Sequence, residues 1–126
     1  SKIGLIPDSG GTFFLPRLIG FQKAMGIAML GDKISAEEAE KMGMIYKAID
    51  HANFLSSAEA IAQKLASMPT YGLALTKKAM NASMQNTLEQ QLGLEDEYQM
   101  KAGASNDYRE GVNAFMEKRN PEFKGN

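Results

Sequence analysis

The stretch "KIGLIPDSGGTFFLPRLIG", residues 2–20, sets a proline, an aspartate and two adjacent glycines between apolar runs. The residue before a proline is pushed out of the helical region, so Ile6 reads as extended and 2–6 as a short strand-like segment. Ser9, Gly10 and Gly11 then open a helix that closes near Gly20, and Pro16 leaves about a turn on either side of itself. Asp8 lies at the turn between the two segments, and two readings of it stand. Asp8 or Ser9 caps the next helix, a role both residue types fill well. Alternatively Leu5, Ile6, Phe13 and Phe14 surround the carboxylate with apolar groups, raise its pKa and make it a proton acceptor. Two glycines beside it let a ligand approach the backbone closely. The residues alone leave both open.

Outward from this turn the chain reads as helix after helix. "FQKAMGIAML" is a second helix, closed by Gly31. In "ISAEEAEKMG", Ser35 and Glu38 have the capping-box spacing and Gly43 supplies a left-handed stop. "MIYKAI", residues 44–49, is β-branched and aromatic and predicts a short strand. Residues 53–68 form a helix with Leu55, Ala58, Ile61, Ala62, Leu65 and Met68 on one side, ended by Pro69. Further helices run from Tyr71 to Met84 and from Leu88 to about Ala102. The last is capped by Asn106 or Asp107, carries Tyr108, Val112, Phe115 and Arg119 on one face, and stops at Pro121. The fold class is therefore mainly α, with one or two short strands.

Composition excludes several function classes. The chain has 126 residues and a formal net charge of -1, so it lacks the basic excess that binds nucleic acid. It has no cysteine, hence no disulfide, thiolate metal site or cysteine nucleophile, which fits a cytoplasmic location. No run reaches the roughly 18 apolar residues of a membrane helix. Nine methionines read as flexible core filler. The chain starts inside an apolar segment, which suggests that an N-terminal part is missing.

Few residues carry obvious chemistry. His51, beside Asp50, is the one histidine and reads as a loop residue. No His, Asp and Glu cluster has metal-ligand spacing, so no metal is expected. "GLIPDSGGT" lacks the G-x-G-x-x-G dinucleotide fingerprint. "LEDEY" at 94–98 reads as a solvated face, and "KK" at 77–78 and "EKR" at 117–119 are small basic clusters.

Three signatures in order, "IPDSGGT", the helix to "LIG", and "LGDKISAEEAEKMGMIYKAI", resemble the second half of the crotonase superfamily, the enoyl-CoA hydratases and isomerases. "REGVNAFMEKRNPEFKGN" is similar to that family's C-terminal helix. The likeness covers essentially the whole chain and is nearest to the bacterial isomerases of phenylacetyl-CoA breakdown. It implies the C-terminal helical, trimer-building portion of a crotonase-like α/β spiral. Residues 1–50 would end the core and carry the active-site turn, and 51–126 would form the C-terminal helical region.

The resemblance also implies a chemistry. Two backbone N–H groups hold a thioester oxygen as an enolate forms, each donor contributing about 2.7–4 kcal/mol. Isomerases of the family carry an acid at this turn where hydratases usually carry glycine, so Asp8 would be the proton shuttle, with Pro7, Gly10 and Gly11 at the substrate. Phe115 and Lys118 match the aromatic and basic pair that contacts the adenine and phosphate end of CoA, an i, i+3 pair that would share a face. The same Phe115 also reads as a core residue of the Tyr108 and Val112 stripe. No cofactor is implied, since CoA belongs to the substrate. The expected parent enzyme acts on acyl-CoA in phenylacetate or fatty-acid degradation as a trimer or hexamer, with no nucleic-acid or membrane partner, and this chain alone would be inactive. The two rivals are a hydratase of the same fold, which would make the enzyme a lyase, and a non-catalytic helical association module. Exposed apolar surface would drive self-association.

Overall fold

Glycine and serine punctuation sets the helix boundaries. The computed structural model describes residues 2–126. Its elements are α1 (Gly11–Ile19), α2 (Phe21–Leu30), α3 (Ala36–Met42), a 3-10 turn (His51–Asn53), α4 (Phe54–Ala66), α5 (Thr70–Ser83), α6 (Leu88–Gly103) and α7 (Asn106–Glu117). They fall into two compact units, one ending at Phe54 and one beginning at Leu55.

In the first unit α1 packs on α2. Gly20 ends one helix and starts the next, and at φ 81°, ψ 153° it takes a backbone conformation open to glycine. The Ser35–Glu38 capping box is present in both directions, at 3.1 Å and 3.0 Å. Gly43, at φ 81°, closes α3 as expected.

In the second unit α5 and α6 form a helical hairpin. The Gln91 side-chain amide near the start of α6 donates to the Ala79 carbonyl near the end of α5 at 3.2 Å. Thr87 and Gln90 make a second capping box, at 3.3 Å and 2.9 Å, which sequence reasoning missed. The end of α6 also meets α7.

Several expectations need correction. No strand exists among the described residues: 2–6 and 44–49 are turn and irregular chain. A strand needs a partner for its N–H and C=O groups. Instead the Ala48 N–H is taken by the Glu40 carboxylate at 2.8 Å. The helix drawn over 53–68 is α4 alone, preceded by the 3-10 turn. The cap of α7 is Ser105, whose hydroxyl accepts the Tyr108 N–H at 3.0 Å, not Asn106 or Asp107. That helix ends at Glu117, so Arg119 lies beyond it rather than on its face. Nor do the methionines fill a core: Met25, Met29, Met80, Met84, Met100 and Met116 are exposed. The buried apolar residues among those described are Ile19, Ala24, Ala39, Leu75 and Ala114. Narrow stripes on short helices leave larger side chains uncovered. No helix among the described residues is long and apolar enough to cross a membrane.

Candidate functional site

The turn at Asp8 is built from two successive left-handed residues, Ser9 at φ 52° and Gly10 at φ 83°. The Gly11 N–H closes it on the Asp8 carbonyl at 2.8 Å. The Gly10 carbonyl then accepts the N–H groups of Phe13 and Phe14, both at 2.9 Å, and so begins α1. Gly10 is thus the N-cap residue, and α1 has no side-chain cap. The capping reading of Asp8 and Ser9 does not hold, because the left-handed pair turns the chain before either side chain reaches the helix start. The Asp8 carboxylate is exposed and accepts the Ser9 hydroxyl at 3.3 Å.

The apolar surround expected for Asp8 is also not supplied here. Leu5, Ile6, Phe13 and Phe14 are all exposed, Ile6 at 81%. Phe13 and Phe14 stack edge to face, 5.1 Å between centroids. Arg17 covers the Phe13 ring at 3.6 Å and donates to the Phe13 carbonyl at 2.8 Å. Sequence reasoning missed this arginine, though its i, i+4 spacing to an aromatic was the available signal.

Pro7 and Gly11 line an apolar cleft of about 510 Å³ with Leu15, Phe21, Met25 and Ala28. A Cβ on Gly11 would sit 3.3 Å from Pro7 Cβ, and one on Gly10 would sit 2.9 Å from Phe14 Cε2. Both glycines therefore permit a close approach that a side chain would obstruct.

The second group of candidate residues lies at the end of α7. Phe115 is 81% exposed, so the reading of it as a core residue fails. It lines a cleft of about 400 Å³ with Tyr108, Gly111, Val112, Phe123 and Ala102. Lys118 is not on the helix face that i, i+3 spacing assumes. It is the terminating residue, left-handed at φ 54°, ψ 37°. Its N–H donates to the Phe115 carbonyl at 3.3 Å, and the Arg119 N–H donates to the Ala114 carbonyl at 3.0 Å. That is the paired Schellman closure of a helix end.

Two acidic residues of α7, Glu110 and Asp107, organise the chain beyond it. Arg119 forks onto Glu110 at 2.6 Å and 2.9 Å and reaches Glu117 at 2.6 Å. The Arg119 guanidinium and the Glu122 N–H hold the Glu110 carboxyl down from its ordinary 4.5 to about 2. Asp107, 3% exposed, accepts the N–H groups of Lys124 and Gly125. His51 is exposed in the 3-10 turn, as a loop reading requires. Asp8, Pro7, Gly10 and Gly11 belong to one unit, and Phe115 and Lys118 to the other.

A helical chain with this glycine turn and these capped helices has clear relatives. The profile of the enoyl-CoA hydratase/isomerase family matches residues 1–126, and the chain belongs to that family of enzymes. It is 52% identical over 125 residues to a 1,2-epoxyphenylacetyl-CoA isomerase of Escherichia coli, covering 99% of this chain and 48% of that protein. It is 47% identical to a probable enoyl-CoA hydratase of Rhodobacter capsulatus, over 99% of this chain and 49% of that protein. An enoyl-CoA hydratase structure from Geobacillus kaustophilus superposes with a TM-score of 0.95 at 32% identity, over 99% of this chain and 47% of that one. The chain spans about half the length of the relatives it matches.

Proposed function

We propose that this chain is the C-terminal half of a CoA-thioester isomerase, in which Asp8 moves a proton between carbons of the bound acyl group. The observation that carries the reading is the exposed Asp8 carboxylate, set on a turn fixed by Ser9 and Gly10 and not used as a helix cap. Ser9 carries a Cβ yet is left-handed at φ 52°; non-glycine residues of this kind persist where surrounding structure over-determines them, and they cluster at functional sites. In this reading the Asp8 carboxylate takes a proton from one carbon as the thioester becomes an enolate. It returns that proton to another carbon as the carbonyl re-forms. The enolate oxygen needs two N–H donors, which the rest of the enzyme would supply. Pro7 and Gly11 would border the acyl group from the apolar cleft, with Gly10 keeping the turn open. Phe115 would stack on the adenine and Lys118 would meet a phosphate of CoA. The reading calls for no metal or redox cofactor, because CoA is part of the substrate.

The 52% identity to an isomerase supports this assignment. The hydratase alternative is supported by the 47% identity to a probable enoyl-CoA hydratase. The residue aligned just before Ser1 separates them: a glutamate there favours the hydratase, an apolar residue the isomerase. The test is turnover of a 3-enoyl-CoA and of a 2-enoyl-CoA by a full-length protein carrying this sequence, with and without Asp8→Asn. Isomerisation that drops about a hundredfold or more in the variant is expected for a general acid–base residue. Hydration that Asp8→Asn leaves intact would sink the assignment.

A further inference from the structure

We propose that Glu110 and Arg119 are positioning residues: their ion pair holds the turn after α7 so that Lys118 keeps the left-handed conformation in which it meets the nucleotide end of a CoA thioester. The inference rests on the assignment of Phe115 and Lys118 to CoA under the proposed function.

The chain contains its own control. α3 and α7 end in the same hydrogen-bond pattern. At α3 the Gly43 N–H donates to the Glu40 carbonyl at 2.9 Å and the Met44 N–H to that of Ala39 at 2.8 Å. At α7 the Lys118 N–H donates to the Phe115 carbonyl at 3.3 Å and the Arg119 N–H to that of Ala114 at 3.0 Å. The left-handed residue is glycine in the first case and lysine in the second, at φ 81° and φ 54°. Glycine takes this conformation without penalty, and a residue with a Cβ does not. A lysine here breaks the local rule that α3 obeys, and such departures gather at functional positions.

Something must then hold the turn, and the residue directly after Lys118 does so. Arg119 Nη1 and Nη2 meet the Glu110 carboxylate at 2.6 Å and 2.9 Å, and Nε meets Glu117 at 2.6 Å. Nη1 also donates to the Asn120 carbonyl at 3.2 Å. Glu110 accepts the Glu122 N–H at 2.8 Å as well. Chain on both sides of Lys118 is thereby tied to the body of α7. An exposed ion pair alone adds little to stability. A planar fork on a carboxylate adds geometric definition, which is what a left-handed lysine needs.

The test uses a full-length protein carrying this sequence and reads KM and kcat with two substrates, an acyl-CoA and the same acyl group on pantetheine, which lacks the nucleotide. Arg119→Ala and the isosteric Glu110→Gln are expected to raise KM for the acyl-CoA about tenfold, the worth of one charge-assisted contact. KM for the acyl-pantetheine and kcat should stay within about twofold of the parent. Lys118→Gly should show the same KM increase together with a higher melting temperature. If Lys118→Gly weakens the acyl-CoA while Arg119→Ala and Glu110→Gln leave its KM unchanged, the positioning role is overturned and the CoA assignment stands. If Lys118→Gly changes neither KM, the CoA assignment itself falls. Equal losses with both substrates in the Glu110 and Arg119 variants would mean a purely structural pair and would also overturn the inference.

Discussion

The buried carboxylate of Asp107 accepts the backbone N–H of Lys124 at 2.7 Å, seventeen residues further along the chain. Its second oxygen accepts the Gly125 N–H at 2.9 Å, and the Asp107 N–H donates to the Asn126 carbonyl at 3.0 Å. The chain after Pro121 is thus folded back against the first turn of α7, where a carboxylate also suits the helix dipole. Replacing Asp107 with alanine strips two N–H groups of their acceptor. The expected cost is about 1–3 kcal/mol, read as a lower midpoint in denaturant unfolding. An unchanged midpoint would show that water satisfies those N–H groups equally well.

Glu110 gives the helix end a pH dependence with a definite sign. Hydrogen bonds from Arg119, then from the Glu122 N–H, bring its folded-state pKa from 4.5 to about 2. A group depressed on folding contributes stability above its unfolded pKa and loses that contribution as pH falls through the folded value. The contribution is therefore complete above about pH 4.5 and fades toward about pH 2. Thermal unfolding of wild type and Glu110→Gln should differ most near neutral pH and converge at the acid end. A gap of constant size across that range would show that Glu110 does not titrate as its contacts require.

Ser35 illustrates what was legible in the sequence. A capping box is local, four residues with a fixed hydrogen-bond pattern, and the structure keeps both of its bonds. Gly31 and Gly43 were legible for the same reason, since a left-handed stop is set by the residue itself. Asp107 and Glu110 were not legible, because their partners lie 17 and 9 residues away in sequence. Lys118 was misplaced because spacing rules assume that a helix continues, whereas α7 ends at Glu117 and Lys118 is the left-handed residue that follows. The strands expected at 2–6 and 44–49 failed for another reason. A residue held extended before a proline, or a β-branched and aromatic run, states only that a segment suits a sheet, and no sheet partner exists among the described residues. Phe115 was ambiguous because an aromatic at helical spacing has one pattern whether it faces a core or a ligand.

Loss of a cap offers a clean measure of how far these helices rely on local chemistry. Ser35→Ala removes the acceptor for the Glu38 N–H and should destabilise α3 by about 1 kcal/mol, whereas Ser35→Gly should cost only a few tenths. Hydrogen exchange at the α3 amides is the direct readout. Equal protection in wild type and the alanine variant would mean that packing of Ala39, not the cap, holds this helix.

The glycine turn makes a prediction that separates structure from chemistry. Gly10 is left-handed at φ 83°, and a Cβ there would lie 2.9 Å from Phe14 Cε2. Gly10→Ala should cost roughly 1–2 kcal/mol from backbone conformation alone. Phe14 is exposed, so its ring can swing aside, and the conformational term should dominate. The double variant Gly10→Ala with Phe14→Ala tests this. Nearly additive losses with no recovery would place the strain in the backbone, while recovery on removing Phe14 would place it in the ring contact.

Exposed apolar side chains on both units predict the behaviour of the isolated chain. Ile3, Ile6, Phe21, Leu30 and Phe115 are each more than half exposed. Exposed apolar side chains, where they adjoin, mark an interaction face or an aggregation liability. With a net charge of only -1, there is little charge repulsion between copies to oppose association. The chain on its own is expected to self-associate, with an average mass in sedimentation that rises with concentration. Adding salt should strengthen the association, since apolar contact and not ion pairing drives it. A single monomeric species across a hundredfold range of concentration would show that the exposed side chains are too dispersed to form a face.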